Sequence, residues 1–354
     1  MSMTNIIKIG KHNIGKNSPT FIIAEAGSNH NGDLSIAKKM VKEAYELGCD
    51  CIKFQTYTAE EFCADKTKKF TYKSQGKEVT VSEFEMFKSL EFSRSEWLEL
   101  MEYCDETGIL FLTTVQDKPN LNMMLELGLK GIKVGSDDFD NLPNIIEYAK
   151  SGLPIILSKG MATVSEVDRI INTVSKYTSK LIILHCVSLY PTEPSLLNIS
   201  QIITLKNLYP EIIWGFSDHS IGPLASIISV SLGAKVIEKH FTLDHNLPGP
   251  DHWFSLDTSE MRDLVDGIRF AEKAIGNGKI NPSEKELEVK KIMRRRIVAA
   301  RNIKSGEFLT EETVKFKRSD SGSFLENWNL MIGQKVRNNI PENTGIELSD
   351  LIFS

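Results

Sequence analysis

Residues 20–56 read TFIIAEAGSNHNGDLSIAKKMVKEAYELGCDCIKFQT. A β-branched run opens the stretch, an amphipathic run follows, and a second apolar run closes it. Gly48 ends the middle segment at the point where a helix needs a residue able to leave the right-handed region. The pattern predicts strand, helix, strand, and strands joined through a helix lie parallel with a right-handed crossover. The same alternation continues through GILFLTTV (108–115), GIKVG (131–135), PIILSKG (154–160), LIILHCVS (181–188), EIIWGFSDH (211–219) and AKVIEKHF (234–241). Amphipathic segments separate them, two with marked starts: a Ser cap before Glu96 and a capping box from Thr163 to Glu166. Eight strand–helix units predict a closed (β/α)8 TIM barrel.

Around this frame three departures stand out. The opening IIKIGKHNIGKNSPTFII predicts a β-hairpin turning at Gly15-Lys16-Asn17. Residues 57–92, polar and rich in lysine, are too long for a passive loop and predict a lid or substrate loop. After Gly276 the texture becomes charged, and from Arg294 short strands and turns predict a small β-rich domain. The expected organisation is therefore a barrel over 1–280, a linker over 281–293 and a second domain over 294–354.

Bulk properties narrow the function classes. The chain has 354 residues, 41% apolar and 25% charged, with a net charge of -5. That balance argues against nucleic-acid or membrane binding by bulk field. Five cysteines at irregular spacing suit a reducing compartment rather than a disulfide framework. No leader-like apolar region opens the chain and no stretch is long enough to span a bilayer, so a cytoplasmic protein is expected.

A barrel carries its site at the C-terminal ends of its strands. There the sequence offers polar residues at every strand end: Glu25, Asn29 and His30; Lys53 and Gln55; Thr113 and Thr114; Lys133, Ser136, Asp137 and Asp138; Ser158 and Lys159; His185, Ser188 and Tyr190; Ser217, Asp218 and His219; Glu238, His240 and Asp251. His219 and His240 end neighbouring strands, which predicts a metal pair; with oxygen ligands it suits Mn²⁺, Mg²⁺ or Zn²⁺. A single histidine at a strand end is more often a hydrogen-bonded cap; two on adjacent strands, with Glu25 nearby, tip the balance. Lys53 and Lys133 lie inside apolar strands, where an outward lysine would meet the helix layer. Facing inward they need an anion, and Ser136, Ser158 and Ser217 beside them complete a phosphate site. Asp251 is presented by LPGPD, while His245 and His252 read as loop bystanders.

Taken together, FIIAEAGSNHNGDLSIAKKM, IKFQTY, IILSKGMAT, HCVSLYPT, GFSDHSIG and VIEKHFTLDHNLPGPDH resemble the sialic acid synthase family, which makes N-acetylneuraminate, legionaminate or pseudaminate. VAARNIKSGEFLTEETVKFKR and IGQKV resemble its antifreeze-like SAF domain. The resemblance implies condensation of phosphoenolpyruvate with an N-acetylated amino sugar, N-acetylmannosamine or a 2,4-diacetamido sugar, to a nine-carbon 2-keto-3-deoxy acid and phosphate. It assigns Mn²⁺, with Mg²⁺ or Co²⁺ as alternatives, to His219 and His240. Catalytic roles fall to Glu25, Asp138 and Asp251, and phosphoenolpyruvate to Lys53, Thr114, Lys133, Ser136, Ser158 and Ser217. Gln55, Tyr190 and Asp251 match sugar-side positions. Arg318 matches an arginine that enters a partner's site, which implies a domain-swapped homodimer. GSDDF replaces the more usual GSGE, so Asp138 stands where a glutamate handles sugar hydroxyls, and IILSKGM adds Lys159. Two other readings stay open: another phosphoenolpyruvate-dependent sugar-acid synthase, and a non-catalytic SAF-bearing polysaccharide-assembly protein.

Overall fold

Buried strands need apolar residues on both faces, one for the helix layer and one for the barrel interior. Eight such strands occur: β1 (Phe21–Glu25), β2 (Cys51–Thr56), β3 (Leu110–Val115), β4 (Ile132–Val134), β5 (Ile155–Ser158), β6 (Leu181–His185), β7 (Ile213–Asp218) and β8 (Val236–His240). The structure, a computed structural model, describes residues 6–353. The reading of the N-terminus as leader-free rests partly on residues 1–5, which lie outside the described residues. The strands pair in parallel and in chain order, and β8 closes on β1 from Val236↔Phe21 to His240↔Glu25. Helices follow each strand: α1 (Leu34–Glu46), α2 (Arg94–Thr107), α3 (Lys118–Glu126), α4 (Leu142–Lys150), α5 (Val164–Val174), α6 (Gln201–Leu208), α7 (Leu224–Ser231) and α8 (Thr258–Ile275). The Ser93 cap and the Thr163/Glu166 capping box form as read, and Glu96 completes a capping box with Ser93 as well.

Strand alternation divides the barrel's side chains cleanly. Ile22, Ala24, Ile52, Phe54, Ile183 and Phe216 point out to the helices. Phe21, Ile23, Cys51, Leu112, Ile156, Ile182, Leu184, Ile213 and Val236 fill the interior. One step further along the same inward rows come Glu25, Lys53, Thr114, Ser158 and Glu238. The interior is therefore apolar below and polar above.

The N-terminal hairpin pairs Ile6–Ile9 with His12–Gly15. Its turn is Gly10-Lys11, five residues before the predicted Gly15-Lys16-Asn17. Gly10 takes φ +55, which a two-residue hairpin turn demands at its first central position. Ile7, Ile9 and Ile14 from the hairpin join the lower interior cluster.

Residues 57–92 are a small folded insertion rather than a loop. Helices Ala59–Phe62 and Glu83–Ser89 flank an antiparallel hairpin, Lys69–Ser74 with Lys77–Ser82. Ala59, Cys63 and Phe84 form its own small core. Its tip reaches the segment after β8, where Gln75 Nε2 donates to the Asn246 carbonyl at 2.8 Å and Ser74 Oγ accepts from Gly249 N at 3.1 Å.

Several of the polar strand ends face away from the interior. Thr113 bonds Thr56 at 2.7 Å, and the His185 ring meets the Leu197 carbonyl at 2.8 Å. Asp218 pairs with Lys239 at 3.0 Å and accepts from Ser220 and Ser226. Lys159 is different: it is buried, and among the described residues its ammonium reaches only the Gly160 carbonyl at 3.4 Å. Burial lowers its pKa. A folded pKa below the unfolded value means that the penalty is complete at neutral pH and fades as pH rises toward the free-lysine value. Lys159→Met is thus expected to raise Tm by about 2–4 °C, equivalent to about 1 kcal/mol. The gap from wild type should narrow in scans above pH 9 or so; an unchanged or lower Tm at pH 7 would show that the ammonium is well solvated.

The chain divides into two compact units between Gly276 and Asn277. The second unit opens with helix Glu284–Met293, then pairs Arg296–Ala299 with Val314–Lys317 and Lys335–Val336 with Leu351–Ile352. Ile297, Ile303, Leu309, Met331, Val336 and Ile346 make its separate core. No helix among the described residues is long and apolar enough to cross a membrane. All five cysteines are buried and unpaired.

Candidate active site

Inward rows that end in charged residues leave a cavity of about 740 Å³ above the apolar interior. Its floor is a network of two lysines and two carboxylates, all buried. Lys53 Nζ lies 2.7 Å from Glu25 Oε2 and 3.7 Å from Glu238 Oε2, and donates to Thr114 Oγ1 at 2.9 Å. Lys133 Nζ lies 3.6 Å from Glu238 Oε1 and donates to Ser158 Oγ at 2.7 Å. Ser217 Oγ donates to Glu238 Oε1 at 2.8 Å. Neighbouring strands at matched levels create this arrangement: Lys53 stands beside Glu25, Lys133 beside Thr114, and Ser217 beside Glu238.

The two carboxylates are driven apart. Burial pushes Glu25 up to about 7, against the pull of Lys53. Burial also acts on Glu238, but Lys133, Lys53 and the Ser217 hydroxyl outweigh it and hold that carboxyl down at about 2. One group then carries a proton near neutrality while the other stays ionised, the division that separates acid from base roles. With Glu25 protonated, two ammonium groups face one carboxylate. The floor then holds a surplus positive charge, which favours an incoming anion.

Beside the floor stand the two histidines, their rings 5.7 Å apart. His219 Nδ1 meets the Val187 carbonyl at 2.7 Å. A carbonyl can only accept, so Nδ1 carries the hydrogen and Nε2 keeps its lone pair. Burial lowers both pKa values, strongly for His240. Among the described residues His240 Nδ1 has no hydrogen-bond partner, and it sits 3.8 Å from Asp251 Oδ2. Two buried neutral imidazoles, one orphaned ring nitrogen and a nearby carboxylate fit a borderline divalent cation. The tight three-ligand group among the described residues lies elsewhere, at His245, Asp257 and Glu260. There Asp257 and Glu260 form the capping box of α8, and His245 bonds Glu260 at 3.0 Å, so the cluster is accounted for as a helix start.

Glu25, Gln55 and Asp251 converge around the Gly27 backbone, where a Cβ would meet their side-chain atoms at 3.4, 3.6 and 3.5 Å. Gln55 Nε2 donates to Glu25 Oε1 at 3.1 Å, and Ser28 Oγ donates to Asp251 Oδ2 at 3.1 Å. Burial raises Asp251 to about 6 in spite of the Ser28 hydrogen bond. The Tyr190 ring lies over His219 with centroids 4.1 Å apart.

Twelve residues given site roles from the sequence line this cavity: Glu25, Lys53, Gln55, Thr114, Lys133, Ser136, Ser158, Tyr190, Ser217, His219, His240 and Asp251. Asp138 does not; it is half-buried and accepts from Asn141 Nδ2 at 3.1 Å, at the start of α4. Its neighbour Asp137 lines the cavity instead. Arg318 belongs to the second unit, exposed just past Val314–Lys317. Glu238 had been noticed at its strand end but given no role. The parity of VIEKH was the available signal, since His240 and Glu238 must share a face. The wall formed by Phe62, Phe70, Tyr72, Met86 and Phe87 of the insertion was not foreseen. Nothing in its lysine-rich sequence says where its aromatic residues point.

A family model described as the NeuB family matches residues 40–280, and one described as the SAF domain matches residues 294–352. An uncharacterised protein of Methanocaldococcus jannaschii is 41% identical over 98% of both chains. The N,N'-diacetyllegionaminic acid synthase of Legionella pneumophila is 36% identical, covering 93% of this chain and 94% of that one. Among solved structures, the N-acetylneuraminic acid (sialic acid) synthetase of Leptospira borgpetersenii, in complex with citrate, superposes with a TM-score of 0.73 at 38% identity, over 82% of this chain and 98% of that one.

Proposed function

The chain belongs to the NeuB family, and on that premise we propose that it condenses phosphoenolpyruvate with an N-acetylated amino sugar to give a nine-carbon 2-keto-3-deoxy acid and inorganic phosphate. The observation that carries this reading is the floor of the cavity. Lys53 and Lys133 share Glu238, donate to the Thr114 and Ser158 hydroxyls, and stand beside two neutral imidazoles, while Ser217 donates to Glu238. An anion goes to the lysines and a carbonyl to the imidazoles, so the two reactants meet where the two halves adjoin.

Lys53, Lys133, Ser136, Ser158 and Ser217, with Thr114 behind Lys53, hold phosphoenolpyruvate by charge-assisted hydrogen bonds. Synthases of this family are metal-dependent. His219 and His240 would hold a divalent cation, Mn²⁺ by preference, which when bound would supply Lewis-acid polarisation of the sugar aldehyde. C3 of phosphoenolpyruvate attacks that aldehyde carbon, the new C–C bond forms, and the aldehyde oxygen takes a proton to become a hydroxyl. Water adds to the cationic C2 and gives up a proton, leaving a tetrahedral carbon that bears hydroxyl and phosphate. Breaking its C–O bond releases phosphate and leaves the ketone. Glu25, poised near neutrality and held by Gln55, is placed to exchange these protons. Asp251, raised by burial and oriented by Ser28, serves the sugar side together with Gln55 and Tyr190. The reading extends to a SAF domain over 294–354, with Arg318 exposed and available to a second subunit's site in a domain-swapped homodimer. It also extends to a cytoplasmic location, which five buried, unpaired cysteines support.

The test is a direct one. Purified protein is mixed with phosphoenolpyruvate, Mn²⁺ and a panel of N-acetylmannosamine, its 6-phosphate and 2,4-diacetamido sugars. Phosphate release is followed and products are identified by mass spectrometry. The expected outcome is stoichiometric phosphate and keto acid with at least one unphosphorylated sugar. Release with none of them sinks the reading.

A further inference from the structure

The loop after β4 reads Gly135-Ser136-Asp137-Asp138, and its two carboxylates go separate ways. Asp138 is tied into the helix start: its carboxylate accepts from Asn141 Nδ2 and its carbonyl accepts from Asn141 N, both at 3.1 Å. Asn141 in turn caps α4. Asp137 turns back over Gly135, so closely that a Cβ there would lie 2.1 Å from Asp137 Oδ1. A side chain at position 135 would force this carboxylate to another position. Asp137 is exposed, lines the cavity, and forms no hydrogen bond or ion pair among the described residues.

We propose that Asp137 is the sugar-side carboxylate of this loop, a specificity-determining residue that accepts a hydrogen bond from a hydroxyl or acetamido N–H of the amino sugar. This rests on the function proposed above. The physical reason is charge. The lysines and the hydroxyls of Ser158 and Ser217 gather at the floor, where an oxyanion is welcome. A free carboxylate at the same mouth repels a second phosphate and attracts neutral donors. Its place in the cavity therefore selects a reactant that is uncharged there and carries an O–H or N–H. Ser136, the residue between the acid and the β4 glycine, hydrogen-bonds Ser188 at 2.8 Å, so the chain at the base of Asp137 is held.

The experiment compares wild type, Asp137→Ala, Asp137→Asn and Asp138→Ala in steady-state kinetics. It uses N-acetylmannosamine or a 2,4-diacetamido sugar, whichever the wild type turns over faster. A lost hydrogen bond to a charged acceptor predicts a fall of about 10- to 150-fold in kcat/KM for the sugar in Asp137→Ala. KM for phosphoenolpyruvate should stay within about twofold. Asp137→Asn keeps an acceptor oxygen and should recover part of the loss. Asp138→Ala, which removes the contact to Asn141 at the start of α4, should lower Tm. Wild-type sugar kcat/KM in Asp137→Ala, or a parallel rise in KM for phosphoenolpyruvate, overturns the assignment while leaving the condensation reading intact. A wild-type protein that releases no phosphate with any sugar overturns both.

Discussion

Glu238→Ala is expected to lower kcat by at least about 10³-fold and to lower Tm in the same variant. The reason is that both lysines lie beside Glu238 and Lys133 has no other ion-pair partner among the described residues. Lys53 keeps Glu25 when Glu238 is gone, but Lys133 is left with Ser158 and the Val134 carbonyl, neither of which carries charge. An uncompensated buried ammonium costs about 3–5 kcal/mol. Part of that cost is avoided by losing the proton, since burial already lowers the Lys133 pKa with Glu238 in place. A neutral Lys133 cannot hold an oxyanion, so stability and turnover fall from one cause. Glu238→Gln separates packing from charge. It preserves the side chain's shape and an oxygen for the Ser217 hydroxyl, yet should lose nearly as much activity as alanine. Tm scans and phosphate-release kinetics on both variants check this. Near-wild-type kcat in Glu238→Gln would mean that the floor's charge balance is irrelevant to turnover.

The barrel was legible because its evidence is periodic. Each strand carries its own parity, and each boundary carries a cap or glycine, so small errors at element ends do not change the topology. Lys53, Lys133, His219 and His240 were legible for a related reason: a polar residue in an apolar strand must face the interior or be paired outside. The same logic misfires where outside pairing exists. Asp218 finds Lys239, Thr113 finds Thr56, and His185 finds a carbonyl, so these strand-end polar residues belong to the helix layer. Such partners are distant in sequence and nothing local announces them. Loops are harder still. Asp137 and Asp138 are adjacent and chemically identical, and what divides them is a hydrogen bond to Asn141 and the empty space above Gly135. The hairpin turn was misplaced because Gly15-Lys16-Asn17 and Gly10-Lys11 both carry turn residues. Pairing Ile7 and Ile9 with Ile14 on one buried face decides for the earlier turn.

His219→Ala and His240→Ala should each abolish turnover, and the loss should be visible without any assay of turnover. A ligand that binds only the folded state stabilises it by about 2.7 kcal/mol at a hundred times its Kd. In a protein of this size that corresponds to a rise in Tm of roughly 5 °C on adding saturating Mn²⁺. The rise should occur in wild type and vanish in both variants, because either substitution removes one of two buried nitrogen donors. The metal-free proteins should differ less. His219→Ala takes the shorter of two hydrogen bonds from the Val187 carbonyl and leaves it the Thr192 hydroxyl at 3.4 Å, a loss of about 1 kcal/mol. His240→Ala removes a ring whose Nδ1 has no partner, so it frees a buried polar atom and costs mainly packing against Tyr190 and Phe254. Ser217→Ala provides the contrast. It removes the Ser217 hydrogen bond to Glu238 at the floor and its 3.4 Å contact with His219 Nε2 but leaves both imidazoles present, so the Mn²⁺-dependent rise should survive while turnover falls. If His219→Ala keeps both its activity in the presence of a chelator and its Mn²⁺-dependent Tm shift, the histidine pair is structural and the aldehyde must be polarised by other groups.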